Sequence, residues 1–241
     1  MSDKNISILS TRPLDEALIE KAAFQQITID TRSFIEIKKL VTPQVAEEIK
    51  ALAKTDATVV FTSMNAVEVV IESLPANTVM PDWKIYCIGG ATFTLVKKYW
   101  SYDQVIYTAK NAAELAERIV ADKVPNISFF CSNIRREELP NILQDHNIPV
   151  TEIVVYETIE TAAKMDKSYD AILFFSPSAV HSFFSKNTVL PNTLLFAIGN
   201  TSAKAIKLFS NNRIIISEFP AKDQLVEKAI KYFSTQVELN G

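Results

Sequence analysis

The sequence has few of the residues on which covalent and metal chemistry most often depend, since its 241 residues include two histidines, two cysteines and four glycines. Cys87 and Cys131 lie far apart and have no neighbouring Cys or His at metal-ligand spacing, which favours neither a zinc site nor a disulfide framework. Glycine-rich phosphate-binding motifs, a nucleophile-elbow serine and paired carboxylates in a recognisable setting are also missing. Any chemistry therefore depends on hydroxyl groups, amides and backbone N–H groups.

Long apolar runs and a strong charge of either sign are missing as well. Apolar residues make up 48% of the sequence, charged residues 22%, and the formal net charge is −3, as in an average globular protein. No apolar run approaches the roughly 20 residues that cross a bilayer, and the N-terminus lacks the order of a signal peptide. We therefore expect a cytoplasmic monomer whose partner is neither a nucleic acid nor a membrane.

One stretch of the sequence occurs in two copies, VVFTSMNAV at residues 59–67 and ILFFSPSAV at residues 172–180. Both copies pass from an apolar run of strand length, through small polar residues, into apolar spacing typical of a helix. The polar residues that can cap these helices are Ser63, Asn65, Ser176 and Ser178. The free N–H groups of a capped helix N-terminus form an anion site, although each turn alone is also explained as a plain helix cap.

Three further pairs of segments match in the same way, namely residues 85–92 with 194–202, 105–117 with 214–227, and, more faintly, 6–37 with 127–158. The first pair contains three of the four glycines. Gly89 and Gly199 occupy matching positions, where glycine allows a ligand to approach the backbone or simply makes a tight turn. The matches predict an internal duplication of a parallel α/β unit and hence two domains.

The end of the first predicted strand carries two more candidates, Thr11 and Arg12. Ligands of open parallel α/β sheets bind at the carboxyl ends of the strands, so position makes both residues candidates for binding. His146 is expected at the surface. His181 follows Ser178 by three positions and can approach a ligand there, but an ordinary helix residue is the simpler interpretation.

Tyr156 is a further titratable residue of interest, in a short predicted extended segment at residues 154–158. A tyrosine in a strand is most often a core residue. Its phenol can also donate a proton or a hydrogen bond to a leaving oxygen, and the residues alone leave both roles open.

Taken in order along the chain, these segments resemble the dispersed motifs of the uroporphyrinogen-III synthase family. The motifs are FTSMNAV at 61–67, IGGAT at 88–92, CSNIRREEL at 131–139, VYET at 155–158, FSPS at 175–178 and AIGNTS at 197–202. Each motif is weak by itself, but together they cover nearly the whole chain and are specific as a set.

The resemblance implies two flavodoxin-like parallel α/β domains, joined by two antiparallel strands, with the active cleft between them. One domain would combine residues 1–35 with 159–241, and the other would span residues 37–157. The connecting strands would be residues 34–37 and 154–158. This differs from the division into two halves that the repeat alone suggests.

The resemblance also implies an activity, the conversion of hydroxymethylbilane to uroporphyrinogen III with loss of water, inversion of ring D and closure of the macrocycle. The family uses no cofactor. Helix N-termini each favour an anion by about 0.3–1 kcal/mol, so several of them can bind a polycarboxylate without a strongly basic pocket. Alternatives are a non-catalytic two-domain clamp for a small anionic metabolite, which has no use for Tyr156, and a regulatory or scaffold protein.

By residue, Tyr156 matches the tyrosine usually proposed to assist departure of the hydroxyl group. Asn65 stands where many members carry arginine, which weakens the case for a charged contact there. Ser202 stands for a common threonine and keeps the hydroxyl. The expected substrate-binding residues are Thr11, Arg12, Thr62, Ser63, Asn65, Gly89, Thr92, Ser132, Asn133, Ser176, Ser178, Gly199, Thr201 and Ser202, and no metal ligand is expected.

Overall fold

A computed structural model describes residues 5–75, 79–219 and 221–240, with the backbone alone for residues 236–240. Strands and helices alternate along most of the chain. The strands are β1 (Ile6–Ser10), β2 (Ile27–Thr31), β3 (Ile35–Lys39), β4 (Thr58–Phe61), β5 (Lys84–Ile88), β6 (Val105–Ala109), β7 (Ile127–Ser132), β8 (Val150–Glu160), β9 (Ala171–Phe174), β10 (Leu194–Ala197) and β11 (Ile214–Ile216). The helices are α1 (Glu16–Ala23), α2 (Pro43–Leu52), α3 (Met64–Ser73), α4 (Ala91–Tyr99), α5 (Ala112–Ala121), α6 (Glu138–Asp145), α7 (Pro177–Phe184), α8 (Asn200–Lys207) and α9 (Lys222–Asn240). The predicted α/β chain with parallel sheets is confirmed.

The chain divides into two compact units. The split unit comprises Met1–Glu36 and Ile159–Gly241, and the middle unit comprises Ile37–Thr158. The outermost residues of the split unit, 1–4 and 241, which also bound the predicted first domain, lie outside the described residues.

The split unit contains a five-stranded parallel sheet in the order β2-β1-β9-β10-β11. All four residues of β9 are buried, as expected for a strand whose two faces are both covered by helices. Alternate residues of the central strands point to opposite faces of the sheet. Ile172 and Phe174 pack with α7 and α8, whereas Leu173 and Phe196 pack with α9.

The middle unit contains a parallel sheet in the order β8-β7-β4-β5-β6, and β3 lies next to β8 at its edge. One face of the sheet carries a cluster of four buried aromatic rings, Phe61, Phe130, Trp83 and Trp100. The other face packs against α5 and α6 through residues such as Phe129. Burial of each large apolar side chain contributes about 1.5–3 kcal/mol, so these clusters hold the strands in register.

The matched sequence segments occupy equivalent places in the two sheets. β4, β5 and β6 of the middle unit correspond to β9, β10 and β11 of the split unit, and β7 and β8 correspond to β1 and β2. The pairs differ in their order along the chain, because the first two strands of the split unit precede its other three while β7 and β8 follow β4 to β6. The two sheets therefore share one spatial arrangement of strands, although the chain passes through those strands in a different order in each unit.

β8 is longer than the short extended segment that the sequence predicts at residues 154–158, since it runs for 11 residues. Its first half pairs with β7 in parallel. Farther along, its Val155 carbonyl accepts a hydrogen bond from the Leu40 N–H at 2.9 Å, and the Thr161 N–H donates to the Phe34 carbonyl at 3.0 Å. These bonds run in the antiparallel sense. β8 therefore pairs with β7 on one side and with the β3 segment on the other, and it is longer than the apolar pattern indicates.

Candidate functional site

The carboxyl edge of the middle sheet brings together polar residues from three adjacent strands. β4 ends at Phe61, and Thr62 and Ser63 then lead into α3, where the Ser63 hydroxyl accepts a hydrogen bond from the Asn65 N–H at 3.2 Å. β7 ends at Ser132, and β8 carries Tyr156. Because β8, β7 and β4 are neighbours in the sheet, residues from separate motifs lie side by side.

Tyr156 lies at the centre of this group and is 8% exposed. Burial raises the pKa of its phenol, while the nearby side chains of Ser63 and Asn65 act in the opposite direction. The phenol is therefore protonated at neutral pH, and polar side chains from α3 lie near it. This arrangement suits a group that gives up a proton and then accepts hydrogen bonds as an anion.

Ser132 and Asn133 are linked to the strand that carries Tyr156. The Ser132 hydroxyl donates to the Asn133 Oδ1 at 3.0 Å, and the same oxygen accepts the Thr158 N–H at 2.9 Å. Thr158 Oγ1 lies 3.4 Å from Ser132 Oγ. The sequence-based site omits Thr158, although its spacing of two from Tyr156 in a strand places both on one face.

The turn between β5 and α4 contains the predicted residues Gly89 and Thr92. Gly89 donates its N–H to the Ala109 carbonyl at 2.9 Å, and Thr92 is buried at 6% exposure. The glycine that the backbone requires is Gly90, whose φ of 73° and ψ of −136° fall in a region open almost only to glycine. Sequence reasoning selected Gly89 from its match to Gly199 and so passed over Gly90.

In the split unit, Thr11 and Arg12 follow β1 but differ in exposure. Thr11 is 1% exposed, and its hydroxyl donates to the Leu173 carbonyl at 2.8 Å. Arg12 is exposed, and its guanidinium carbon lies 5.6 Å from the centre of the Phe175 ring. Thr11 thus joins two strands, whereas Arg12 presents a cation at the edge of the sheet.

The two remaining turns of the split unit begin α7 and α8. The Ser176 hydroxyl caps α7 by accepting the Ala179 N–H at 3.1 Å, and Ser178 lies half-buried in the first turn. Gly199 caps α8 in an extended conformation that any residue adopts. Thr201 is exposed, whereas Ser202 is 1% exposed and faces the core.

The helices that follow these turns share an electrostatic feature. α3, α4, α7 and α8 all begin without an acidic residue in the first turn, as does α2. α1, α5, α6 and α9 instead carry one there. The positive ends of the four helix dipoles at the predicted turns are therefore left without a neighbouring carboxylate from the same helix, which suits an anionic ligand.

The two histidines are exposed, and the two cysteines are buried as free thiols. His181 is exposed and contacts the Phe209 ring edge-on at 5.2 Å, and His146 is exposed at the end of α6. Burial raises the pKa of the Cys87 and Cys131 thiols to about 12, and both are unbonded. Within the described ranges, no three metal-ligating side chains cluster.

None of the helices in the described part of the chain combines the length and apolarity needed to cross a bilayer.

The chain is similar to known proteins in sequence and in structure. A family model described as "Uroporphyrinogen-III synthase HemD" matches residues 16–227. An uncharacterised protein of Rickettsia prowazekii (strain Madrid E) is 27% identical over 133 residues, which cover 54% of this chain and 46% of that protein. The chain thus matches a little less than half of that relative's length.

Solved structures show a related fold. Uroporphyrinogen-III synthetase from Helicobacter pylori superposes with a TM-score of 0.61 at 17% identity, covering 94% of this chain and 99% of that one. A mutant uroporphyrinogen III synthase from the extremely thermophilic bacterium Thermus thermophilus gives a TM-score of 0.67 at 14% identity, with 96% and 99% coverage. At these identities the likeness shows a shared fold.

Proposed function

The chain belongs to the uroporphyrinogen-III synthase family, and we propose that it converts hydroxymethylbilane to uroporphyrinogen III in tetrapyrrole (haem) biosynthesis. The match of the family model to residues 16–227 carries this proposal. The reaction closes the macrocycle with loss of water and inversion of ring D, and it involves no net oxidation. We propose that it requires no cofactor. The family match favours this enzyme over a non-catalytic clamp for a small anionic metabolite.

The two units are proposed to be flavodoxin-like domains, residues 1–35 with 159–241 and residues 37–157, connected by strands at 34–37 and 154–158. Numbered within the split unit, its strands lie in the order 2-1-3-4-5, the order of flavodoxin. The middle sheet has the same order when its last two strands are counted first. We also propose a cytoplasmic monomer that binds neither nucleic acid nor membrane.

Substrate carboxylates are proposed to bind at the N-termini of α3, α4, α7 and α8. In support, these helices begin without a carboxylate of their own, and each helix N-terminus favours an anion by about 0.3–1 kcal/mol. The accessible side chains at these turns are proposed to complete the contacts, and they are Thr62, Ser63, Asn65, Ser176, Ser178 and Thr201. Many weak contacts then hold the bilane in the folded form that closes with inversion.

Tyr156 is proposed to assist departure of the substrate hydroxyl. Its phenol is protonated at neutral pH because burial raises the pKa, so it can donate a proton to the leaving oxygen. The side chains of Ser63 and Asn65 supply hydrogen bonds that stabilise the phenolate left behind. Since the bilane also closes unaided to the uninverted isomer, holding its conformation and assisting one proton transfer are sufficient catalysis.

Arg12, an exposed cation at the carboxyl edge of the split-unit sheet, is also proposed to bind a substrate carboxylate. We expect Arg12→Gln to raise KM for hydroxymethylbilane by about 5- to 10-fold, because a charge-assisted contact with a carboxylate is lost from an exposed site. The kcat should change little. Measuring initial rates of type III isomer formation against bilane concentration checks this.

Arg213→Gln is the matched control for this test. The Arg213 guanidinium also lies 5.6 Å from an aromatic ring, that of Tyr232, but Arg213 immediately precedes β11 and so lies at the amino edge of the same sheet. We expect the KM of this variant to equal that of the wild type. Equal KM increases in both variants would mean that Arg12 acts through the overall charge of the protein and not through direct contact with a substrate carboxylate.

A further inference from the structure

β8 contains one residue more than its partner strand at the point where the tyrosine lies. Cys131 pairs with Val154, but the next residue, Ser132, pairs with Tyr156, so Val155 has no partner on β7. A bulge of this kind redirects the side chains that follow it and is common beside active sites. Here it places Tyr156, and not Val155, opposite Ser132.

Asn133 forms two hydrogen bonds with β8 at and after the bulge. Its backbone N–H donates to the Tyr156 carbonyl at 3.2 Å, and its side-chain Oδ1 accepts the Thr158 N–H at 2.9 Å. The side chain therefore makes the bond that a regular ladder would supply from the backbone. Tyr156 itself provides the first of these two attachment points, which fixes the strand on which its ring is carried.

The same amide oxygen also orients Ser132. The Ser132 hydroxyl has one hydrogen and donates it to Asn133 Oδ1 at 3.0 Å, while its oxygen accepts the Ile134 N–H at 3.1 Å. While these bonds last, Ser132 can offer Tyr156 a lone pair but no hydrogen. The neutral phenol, which has a hydrogen to donate, is the form that this orientation favours.

We infer that Asn133 is a positioning residue, whose amide oxygen holds the Thr158 N–H and the Ser132 hydroxyl hydrogen and thereby keeps the Tyr156 phenol in place and protonated. The inference rests on the function proposed above. In the reaction, Tyr156 gives its proton to the substrate hydroxyl, the C–O bond breaks and water leaves. Ser132 then turns its hydrogen from Asn133 to the phenolate, which regains a proton when the ring carbon of the closed macrocycle loses one.

The phenol of Tyr156 has one titratable neighbour among its influences within the described part of the chain. This neighbour is Cys131, on β7, which raises the pKa of the phenol. Burial raises the pKa of this thiol to about 12, with smaller influences from Glu152 and Arg135. The thiol is therefore neutral at pH 7, and burial is the main influence on the pKa of the phenol.

The test follows the pKa of Tyr156 in the free protein, so it does not depend on turnover. Tyrosine is replaced throughout by 3,5-difluorotyrosine, which lowers phenol pKa values, and titrations are followed by 19F NMR, with Tyr156→Phe assigning the resonance. Asn133→Asp keeps an acceptor and adds a negative charge, and we expect the pKa of Tyr156 to rise by about 0.5–1 unit. Asn133→Leu frees the Ser132 hydrogen for the phenolate, and we expect the pKa to fall.

Asn111→Asp is the matched control. Asn111 lies at the same edge of the sheet, after β6, and caps α5 by accepting the Glu114 N–H at 2.9 Å, which aspartate does equally well. It adds the same charge without a bond to Ser132, so we expect the pKa of Tyr156 to stay within about 0.2 unit of the wild type. No shift in either Asn133 variant, or shifts of the same sign in both, would overturn the inference.

Kinetics connect the positioning to catalysis. We expect Asn133→Leu to lower kcat about 10-fold and to leave KM within about 2-fold of the wild type, whereas a raised KM with unchanged kcat would assign Asn133 to substrate binding and overturn the inference. A failure of the proposed function can be distinguished from a failure of the positioning role. If the two pKa shifts occur while Tyr156→Phe keeps full activity, Asn133 positions the phenol but Tyr156 is not the proton donor.

Discussion

Replacing Tyr156 with phenylalanine is expected to lower kcat for uroporphyrinogen III formation by about 100-fold or more, because the proton given to the leaving hydroxyl is lost. The ring and its packing remain, so the affinity for hydroxymethylbilane should stay within about 3-fold of the wild type. Single-turnover rates and equilibrium binding of the bilane, measured on the same preparations, separate the two effects.

Tyr86→Phe is the control for this substitution. Tyr86 lies in the same unit, is 3% exposed, and donates its hydroxyl hydrogen to Asp122 at 2.8 Å. The change therefore removes a buried phenol oxygen with a similar cost in stability, about 1–3 kcal/mol, but away from the carboxyl edge. We expect its kcat to stay near the wild-type value. A Tyr156→Phe variant as active as Tyr86→Phe would exclude Tyr156 as the proton donor.

The second large effect is expected on stability. Phe130→Ala should lower the free energy of unfolding of the middle unit by about 3–5 kcal/mol, because it removes a fully buried ring from the strand beside β8. Phe130 stacks on Phe61 with ring centres 5.2 Å apart and lies 5.8 Å from Trp83. The surrounding rigid rings cannot close the resulting cavity.

Urea unfolding followed by tryptophan fluorescence measures this change selectively, because both tryptophans of the sequence, Trp83 and Trp100, lie in the middle unit. Tyr102→Ala is a control in the same unit, since Tyr102 is 66% exposed, and we expect it to cost at most about 1 kcal/mol. Similar losses in the two variants would show that the aromatic cluster does not stabilise the unit as its packing indicates.

Much of this architecture could be predicted because parallel strands are marked by apolar runs followed by polar turns. The two copies at residues 59–67 and 172–180 became β4 and β9 with the helices that follow them. The resemblance to the uroporphyrinogen-III synthase family is confirmed by the family model. The order of the strands in space does not follow from the repeat, since the same sheet arises from two different chain orders.

The candidate site could be located by the same patterning, but the role of each side chain could not. Position at a strand end makes Thr11 a candidate, the family resemblance adds Thr92 and Ser202, and the structure buries all three. Whether a hydroxyl beside a turn faces solvent or the core depends on helix rotation and on packing partners far along the chain. Their place among the substrate contacts therefore stays a prediction.

The surroundings of Tyr156 show most clearly which features of the site could not be predicted from the sequence. Ser63 and Asn65 approach it from a segment about 90 positions earlier, which the matched turns indicated only indirectly. The bulge at Val155, which places Tyr156 opposite Ser132, leaves no mark in the apolar pattern. Asn133 likewise resembles any polar turn residue until its two acceptor bonds are seen.

The most direct test of the proposed activity is the identity of the macrocycle that the protein produces. Hydroxymethylbilane is supplied with and without the protein, and the oxidised products are separated into type I and type III isomers. We expect predominantly type III isomer with the protein and type I isomer without it. Type I isomer alone, from a protein whose tryptophan fluorescence shows it to be folded, would contradict the synthase activity.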